Sequence, residues 1–149
     1  IPFRKMKKRK KQTERDYKEE PPCSRKEIIA TKSAPAAIGP YSQGIGAGNL
    51  VITSGQLPVD PATGSFAPGG VAEQTHQSLA NVQAVLAQAG LTMENVIKTT
   101  VFLSDMNNFS AMNEVYATFF PQNPPARSAV EVARLPKNAL VEIEAIACR

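Results

Sequence analysis

Arg127 and Glu142 are the two side chains whose types and spacing best suit chemistry on a small anion. An arginine presents a planar fork of N–H donors that matches a carboxylate, and a glutamate held partly out of water can take up and return a proton. Both fall between Pro124 and Ala147, where apolar and polar residues alternate with period two on either side of a four-residue loop, Arg134 to Lys137. That pattern predicts a hairpin. If Ala133 pairs with Asn138, Ala129 stands opposite Glu142 and Arg127 opposite Glu144, with their side chains on one face. Ser128, Val130, Val132, Val141, Ile143, Ala145 and Ala147 then line the other face, which reads as core. The first face carries an arginine and carboxylates beside small residues, which is not how a packed core is filled. Two readings fit it. One is a solvated face with cross-strand ion pairs. The other is a pocket wall in which Arg127 holds a planar anion and Glu142, one diagonal step away at roughly 7 Å, handles a proton or a water.

The elements that must position these residues are legible in order along the chain. Lys26 to Thr31 reads as a short strand, and Pro35 to Tyr41 as a loop that two prolines stiffen, so that it positions Tyr41 instead of burying it. Ser42 to Ala47 and Leu50 to Gly55 make two strands around Gly48-Asn49, a turn that supplies positive φ. Ser54 and Gly55 close the second strand; the glycine is either a plain turn or bulge, or a place where a ligand approaches the backbone. Pro58 to Gly70 reads as a surface loop. Apolar residues from Val71 to Ala89 follow helical spacing and Gly90 stands where a left-handed cap is wanted. Val96 to Leu103 is rich in β-branched residues and predicts a central strand. Asn107 or Asn108 can cap a second helix with a stripe of Phe109, Met112, Val115, Tyr116, Phe119 and Phe120, which Pro121 stops. Asn113 lies at the edge of that stripe, as a structural hydrogen-bonding group or a pocket residue. The order predicts an α+β fold, a mostly antiparallel sheet with two helices on one face. The other sheet face needs cover, which points to a further subunit.

Length and composition narrow the function classes. A chain of 149 residues with 42% hydrophobic residues supports one domain, expected over 26–149, and no apolar run is long enough to cross a membrane. The +4 formal charge is unevenly placed. Residues 1–26 hold 11 Lys and Arg against 4 acids, net +7, leaving 6 against 9, net −3, for the rest. The domain therefore has no electrostatic footprint for nucleic acid. Residues 1–25, with the basic run Arg4 to Lys11, predict a disordered leader. It lacks the apolar segment of a secretory signal, and its acids argue against an organelle transit peptide; a nuclear address or an RNA-touching arm are the functional alternatives. Two cysteines, Cys23 and Cys148, are too few for a disulfide framework or metal cluster and suggest free thiols in a reducing compartment. His76 is the sole histidine and falls inside a predicted helix, where a surface residue is the plain reading.

Four ordered stretches carry a resemblance. They are Ala36-Ala37-Ile38-Gly39-Pro40-Tyr41-Ser42-Gln43-Gly44, Ile52-Thr53-Ser54-Gly55-Gln56-Leu57-Pro58, Lys98-Thr99-Thr100-Val101-Phe102-Leu103-Ser104-Asp105, and Pro125-Ala126-Arg127-Ser128 onward to Ala147. From about Lys26 to Arg149 the chain resembles the reactive intermediate deaminase (Rid, YjgF-like) family of enamine/imine deaminases. The resemblance implies a chorismate-mutase-like protomer and a homotrimer with a central barrel and sites in the clefts between subunits. It implies hydrolysis of 2-aminoacrylate, 2-aminocrotonate and their imine tautomers, released by pyridoxal-phosphate-dependent dehydratases, to 2-oxo acids and ammonia. It also implies no metal or cofactor, and a cytoplasmic enzyme of metabolite damage control. By the same resemblance Arg127 clamps the substrate carboxylate, Glu142 positions and deprotonates water, and Tyr41, Ser54, Gly55 and Asn113 line the ligand. The position two after the arginine, often cysteine, is Ala129, so only its backbone could serve there. The competing readings are an endoribonuclease or translation inhibitor, with RNA as partner, and a non-catalytic protein that binds small acids.

Overall fold

The computed structural model describes residues 25–149, so the expected leader, Arg25 apart, and Cys23 lie outside the described residues. Strands β1 (Glu27–Ile29), β2 (Gly44–Ala47) and β3 (Leu50–Thr53) are followed by helix α1 (Val71–Gln88), β4 (Val96–Leu103), helix α2 (Phe109–Phe119), β5 (Ala126–Glu131) and β6 (Val141–Cys148). They form one six-stranded sheet in the order β1-β2-β3-β6-β4-β5. Every seam is antiparallel except β4–β5, which is parallel. The α+β class, the mostly antiparallel sheet and the paired helices agree with the sequence.

The predicted hairpin does not form. β4 lies between β5 and β6, with Val101 beside Ala129 on one side and Ile143 on the other. Alternation identifies a strand and its two faces but carries no information about its neighbour. α2 is a crossover connection that returns β5 parallel to β4, and the segment from Val132 to Leu140 then passes over the end of β4. Both ends of that segment are tied there, Val132 N–H donating to Leu103 O at 2.9 Å and Ser104 N–H to Leu140 O at 3.1 Å. At its tip Lys137 and Asn138 take positive φ, 55° and 57°.

This topology also corrects the face assignment. Residues side by side in register share a face, so Thr99 goes with Arg127 and Ala145, and Val101 with Ala129 and Ile143. That face meets the helices. Thr100 goes with Ser128 and Glu144, and Phe102 with Val130 and Glu142, on the opposite side. Ser128 and Val130 are therefore exposed partners of the carboxylates instead of core residues, and Arg127 and Glu142 do not share a face.

One layer of core fills the space between helices and sheet. Leu79, Val82, Val85 and Leu86 of α1 and Met112 of α2 meet Val51, Val101, Leu103, Val141 and Ile143, all fully buried. Gly90, at φ 78°, closes α1 as read from sequence, and Leu91 N–H returns to Leu86 O at 2.9 Å. Asn108 stands at the N-cap of α2, as read from sequence, but makes no side-chain cap bond; Asp105 caps the short turn before it, its Oδ1 accepting Asn107 N–H at 2.9 Å. No helix among the described residues is long and apolar enough to cross a membrane. The helix-free face is open, with Ile28, Ile52 and Val130 exposed along it.

Within the core, the Ser78 hydroxyl is fully buried and has no hydrogen-bond partner among the described residues. Ser78→Ala removes that unpaired group and adds helix propensity, so calorimetric melting should show a gain of about 1 kcal/mol. A clear loss would mean that the hydroxyl has a partner.

Candidate active site

Helix α2 carries half-buried Phe109, exposed Asn113 and buried Tyr116 as one stripe at helical spacing beside the edge strand β5. Arg127 reaches back to that stripe. Its Nη1 donates to Asn113 Oδ1 at 2.7 Å, and its guanidinium carbon stands 4.6 Å from the Tyr116 ring centroid and 5.4 Å from that of Phe109. The flat cation thus rests against aromatic faces, and Asn113 takes its one side-chain hydrogen bond among the described residues. The remaining donors of the fork stay available to an anion. Ala129 follows on the same side of β5, half-buried beside Val101.

Glu142 belongs to a second cluster. After β3 the chain leaves the strand at Ser54 and Gly55, then returns at Gln56, which exchanges two backbone hydrogen bonds with Ile143 at 2.8 and 3.2 Å. This presses Gly55 onto the Glu142 side chain: a Cβ on Gly55 would lie 2.9 Å from the carboxyl carbon. A side chain there would have to push the carboxylate aside. Glu142 is half-buried, and burial first, then the neighbouring Glu144 charge, push its pKa above the ordinary carboxylate value. Ser54 Oγ donates to Ser42 O at 2.5 Å, and Ser54 N–H to Gln43 O at 2.9 Å, tying this segment to the one that carries Tyr41. Tyr41 is 51% exposed, and its hydroxyl accepts Ile38 N–H at 3.3 Å. A groove of about 520 Å³ joins Tyr41 and Gly55 with Pro35, Ile38, Leu57 and Lys137.

The structure therefore gathers the predicted residues into two groups. Tyr41, Ser54, Gly55 and Glu142 form one; Asn113, Arg127 and Ala129 form the other. Within one chain they stand on opposite sides of the sheet. His76 is exposed and meets the Phe119 ring edge-on at 5.3 Å between centroids. It helps to line a wider cavity of about 780 Å³ between the helices, which holds none of the predicted site residues. Cys148 is a free thiol.

Three supporting residues were not singled out from sequence. Gln43, 4% exposed, receives Thr31 N–H on Oε1 at 2.6 Å and donates from Nε2 to Pro35 O at 2.7 Å and Thr31 O at 3.0 Å. One amide thus fixes the loop that leads to Tyr41. Its only sequence signal was a polar residue entering a strand of small residues. Phe109 and Tyr116 were read as core; two aromatics bracketing Asn113 on one helix face were the sign that they also cradle a cation.

The family described as Endoribonuclease L-PSP matches residues 31–149. A RutC family protein of Pyrococcus horikoshii is 56% identical over 122 residues, 82% of this chain and 97% of that protein. The 2-iminobutanoate/2-iminopropanoate deaminase of Escherichia coli K12 is 56% identical over 124 residues, 81% of this chain and 96% of its own length. Among solved structures, Escherichia coli TdcF with bound serine superposes with a TM-score of 0.80 at 52% identity, over 83% of this chain and 98% of that one.

Proposed function

The chain belongs to the Endoribonuclease L-PSP family, and on that premise we propose that it is a deaminase that hydrolyses 2-imino acids and their enamine tautomers to 2-oxo acids and ammonia. One observation carries this reading. An arginine fork stands over aromatic rings with donors to spare, and a half-buried carboxylate of raised pKa sits close against the Gly55 backbone. The first suits a small planar acid and the second a water that must lose a proton.

In the proposed reaction the substrate carboxylate binds the Arg127 fork, and the imine carbon faces a water held by Glu142. Glu142 takes a proton from the water as its oxygen bonds to the imine carbon and the C=N π electrons move to nitrogen. The same carboxyl returns the proton to nitrogen to give the carbinolamine, then takes the hydroxyl proton and passes it to the amine, so that the C–N bond breaks as the carbonyl forms and ammonia leaves. An imine is already electrophilic, so positioning and this one proton relay suffice. The substrates are 2-iminobutanoate and 2-iminopropanoate, and the setting is cytoplasmic clearance of the reactive enamines that dehydratases release.

Because Arg127 and Glu142 lie on opposite faces of one sheet, the complete site needs a second copy, which brings its Glu142 cluster to the β5 edge. A homotrimer also covers the open apolar face. The net −3 of residues 27–149 gives no comparable support to an RNA substrate.

The test couples a threonine dehydratase to this protein and follows enamine loss. Wild type should accelerate it; no acceleration would remove the deaminase reading. Arg127→Ala and Glu142→Gln chains, each inactive alone, are then co-refolded. Random mixed trimers with sites between subunits should recover about a quarter of wild-type activity, because each mixed trimer holds one site with both groups intact. No recovery from a mixture shown to form mixed trimers would sink the shared site.

A further inference from the structure

We propose that the buried Thr99–Tyr116 hydroxyl pair is a positioning device for this reaction: it fixes the ring on which Arg127 lies and so sets the plane of the anion-binding fork. The proposal rests on the reading of Arg127 as the carboxylate clamp. Tyr116 is 5% exposed and Thr99 1%, and their hydroxyl oxygens stand 2.7 Å apart. A phenylalanine would fill the same space with no polar group to satisfy, whereas two buried hydroxyls must find partners. The pair therefore adds orientation more than burial energy.

The geometry links that orientation to the clamp. Thr99 on β4 is the register neighbour of Arg127 on β5, so the strand residue beside the arginine holds the hydroxyl of the ring beneath its guanidinium. Arg127 itself is weakly held. It sits on an edge strand, and its Asn113 bond is on the exposed surface, where such contacts contribute little. The Tyr116 ring, packed also against Phe120 at 4.7 Å, is the more rigid of the supports. A bidentate carboxylate pair depends on the tilt of the fork, so loosening the ring misaligns both hydrogen bonds together. Burial raises the Tyr116 pKa despite the opposing influence of Thr99 and Arg127, which keeps the hydroxyl protonated and the pair intact through neutral pH.

The experiment compares Tyr116→Phe, Thr99→Val and the double variant, using melting temperature, the coupled assay and calorimetric binding of 2-oxobutanoate. Each single variant should raise KM and weaken 2-oxobutanoate binding roughly five- to tenfold, with kcat changed by less than about twofold. The singles leave one hydroxyl unpaired and should melt earlier; the double, which buries neither hydroxyl, should regain most of the stability but not the binding. Binding that recovers with stability in the double variant, or singles that bind as wild type, would overturn the positioning role. Arg127→Ala is measured alongside. If it too binds 2-oxobutanoate as wild type, the clamp reading itself fails; if it loses binding while Tyr116→Phe does not, only the anchor fails.

Discussion

Glu142→Gln is expected to lower kcat by roughly two to four orders of magnitude, the range for losing a general base. The amide keeps the shape and can still orient a water, but it cannot accept the proton. Stability should move the other way. Burial and Glu144 raise the folded-state pKa of Glu142, so its contribution to folding is favourable at low pH and is lost as pH rises through that value. At neutral pH the charged carboxylate opposes folding, and the glutamine removes that opposition. The expected signature is therefore an inactive protein that melts no earlier than wild type, measured by calorimetry beside the coupled assay. The pH profile supplies an independent check. The base must be deprotonated, so kcat/KM should fall on the acid side at a pH higher than an exposed glutamate would give. Glu144→Gln, which removes the second cause of the shift, should move that limb to lower pH. An unchanged kcat in Glu142→Gln would exclude the role.

Arg127→Ala is the second large effect. Hydrogen bonds to charged groups are worth about 1.5–3 kcal/mol each, so loss of a two-pronged carboxylate contact should lower kcat/KM by roughly two to four orders of magnitude. Arg127→Lys restores the charge without the fork that stands over the Tyr116 ring. It should recover only part of the loss, and the deficit should fall mainly on KM. A change of less than about tenfold in the alanine variant would mean that the substrate carboxylate binds elsewhere.

Much of the fold was legible from sequence because it depends on local rules. Val141, Ile143, Ala145 and Ala147 all face the core as their alternation demanded, α1 runs from Val71 to a glycine closure at Gly90, and Gly48 turns the β2–β3 connection at φ 56°. What failed was non-local. Two adjacent alternating stretches look like a hairpin unless something inserts between them, and nothing in the 126–148 pattern shows that β4 does. The site inherits the consequence: hairpin pairing of β5 with β6 places Val130 inside and Arg127 beside Glu144, whereas β4 between them puts Val130 on the open face and Arg127 beside Thr99. On an edge strand with one open face, apolar and polar positions no longer separate inside from outside. Tyr116, conversely, was correctly read as buried while its second role stayed hidden, because that role depends on Thr99 and Arg127, which are distant in sequence.

The place of β6 in the sheet bears on how the chain reaches this structure. The strand that follows all the others in sequence is not at a margin; it joins β3 to β4 and so unites the two halves of the sheet. As the polypeptide emerges from a ribosome, β1 to β3 and β4 to β5 can each gather early, but each must keep a raw apolar edge until residues 141–148 arrive. Completion is thus a late, single closing event with high contact order, and the interval before it is when nascent chains are most open to mispairing with one another or to capture by chaperones.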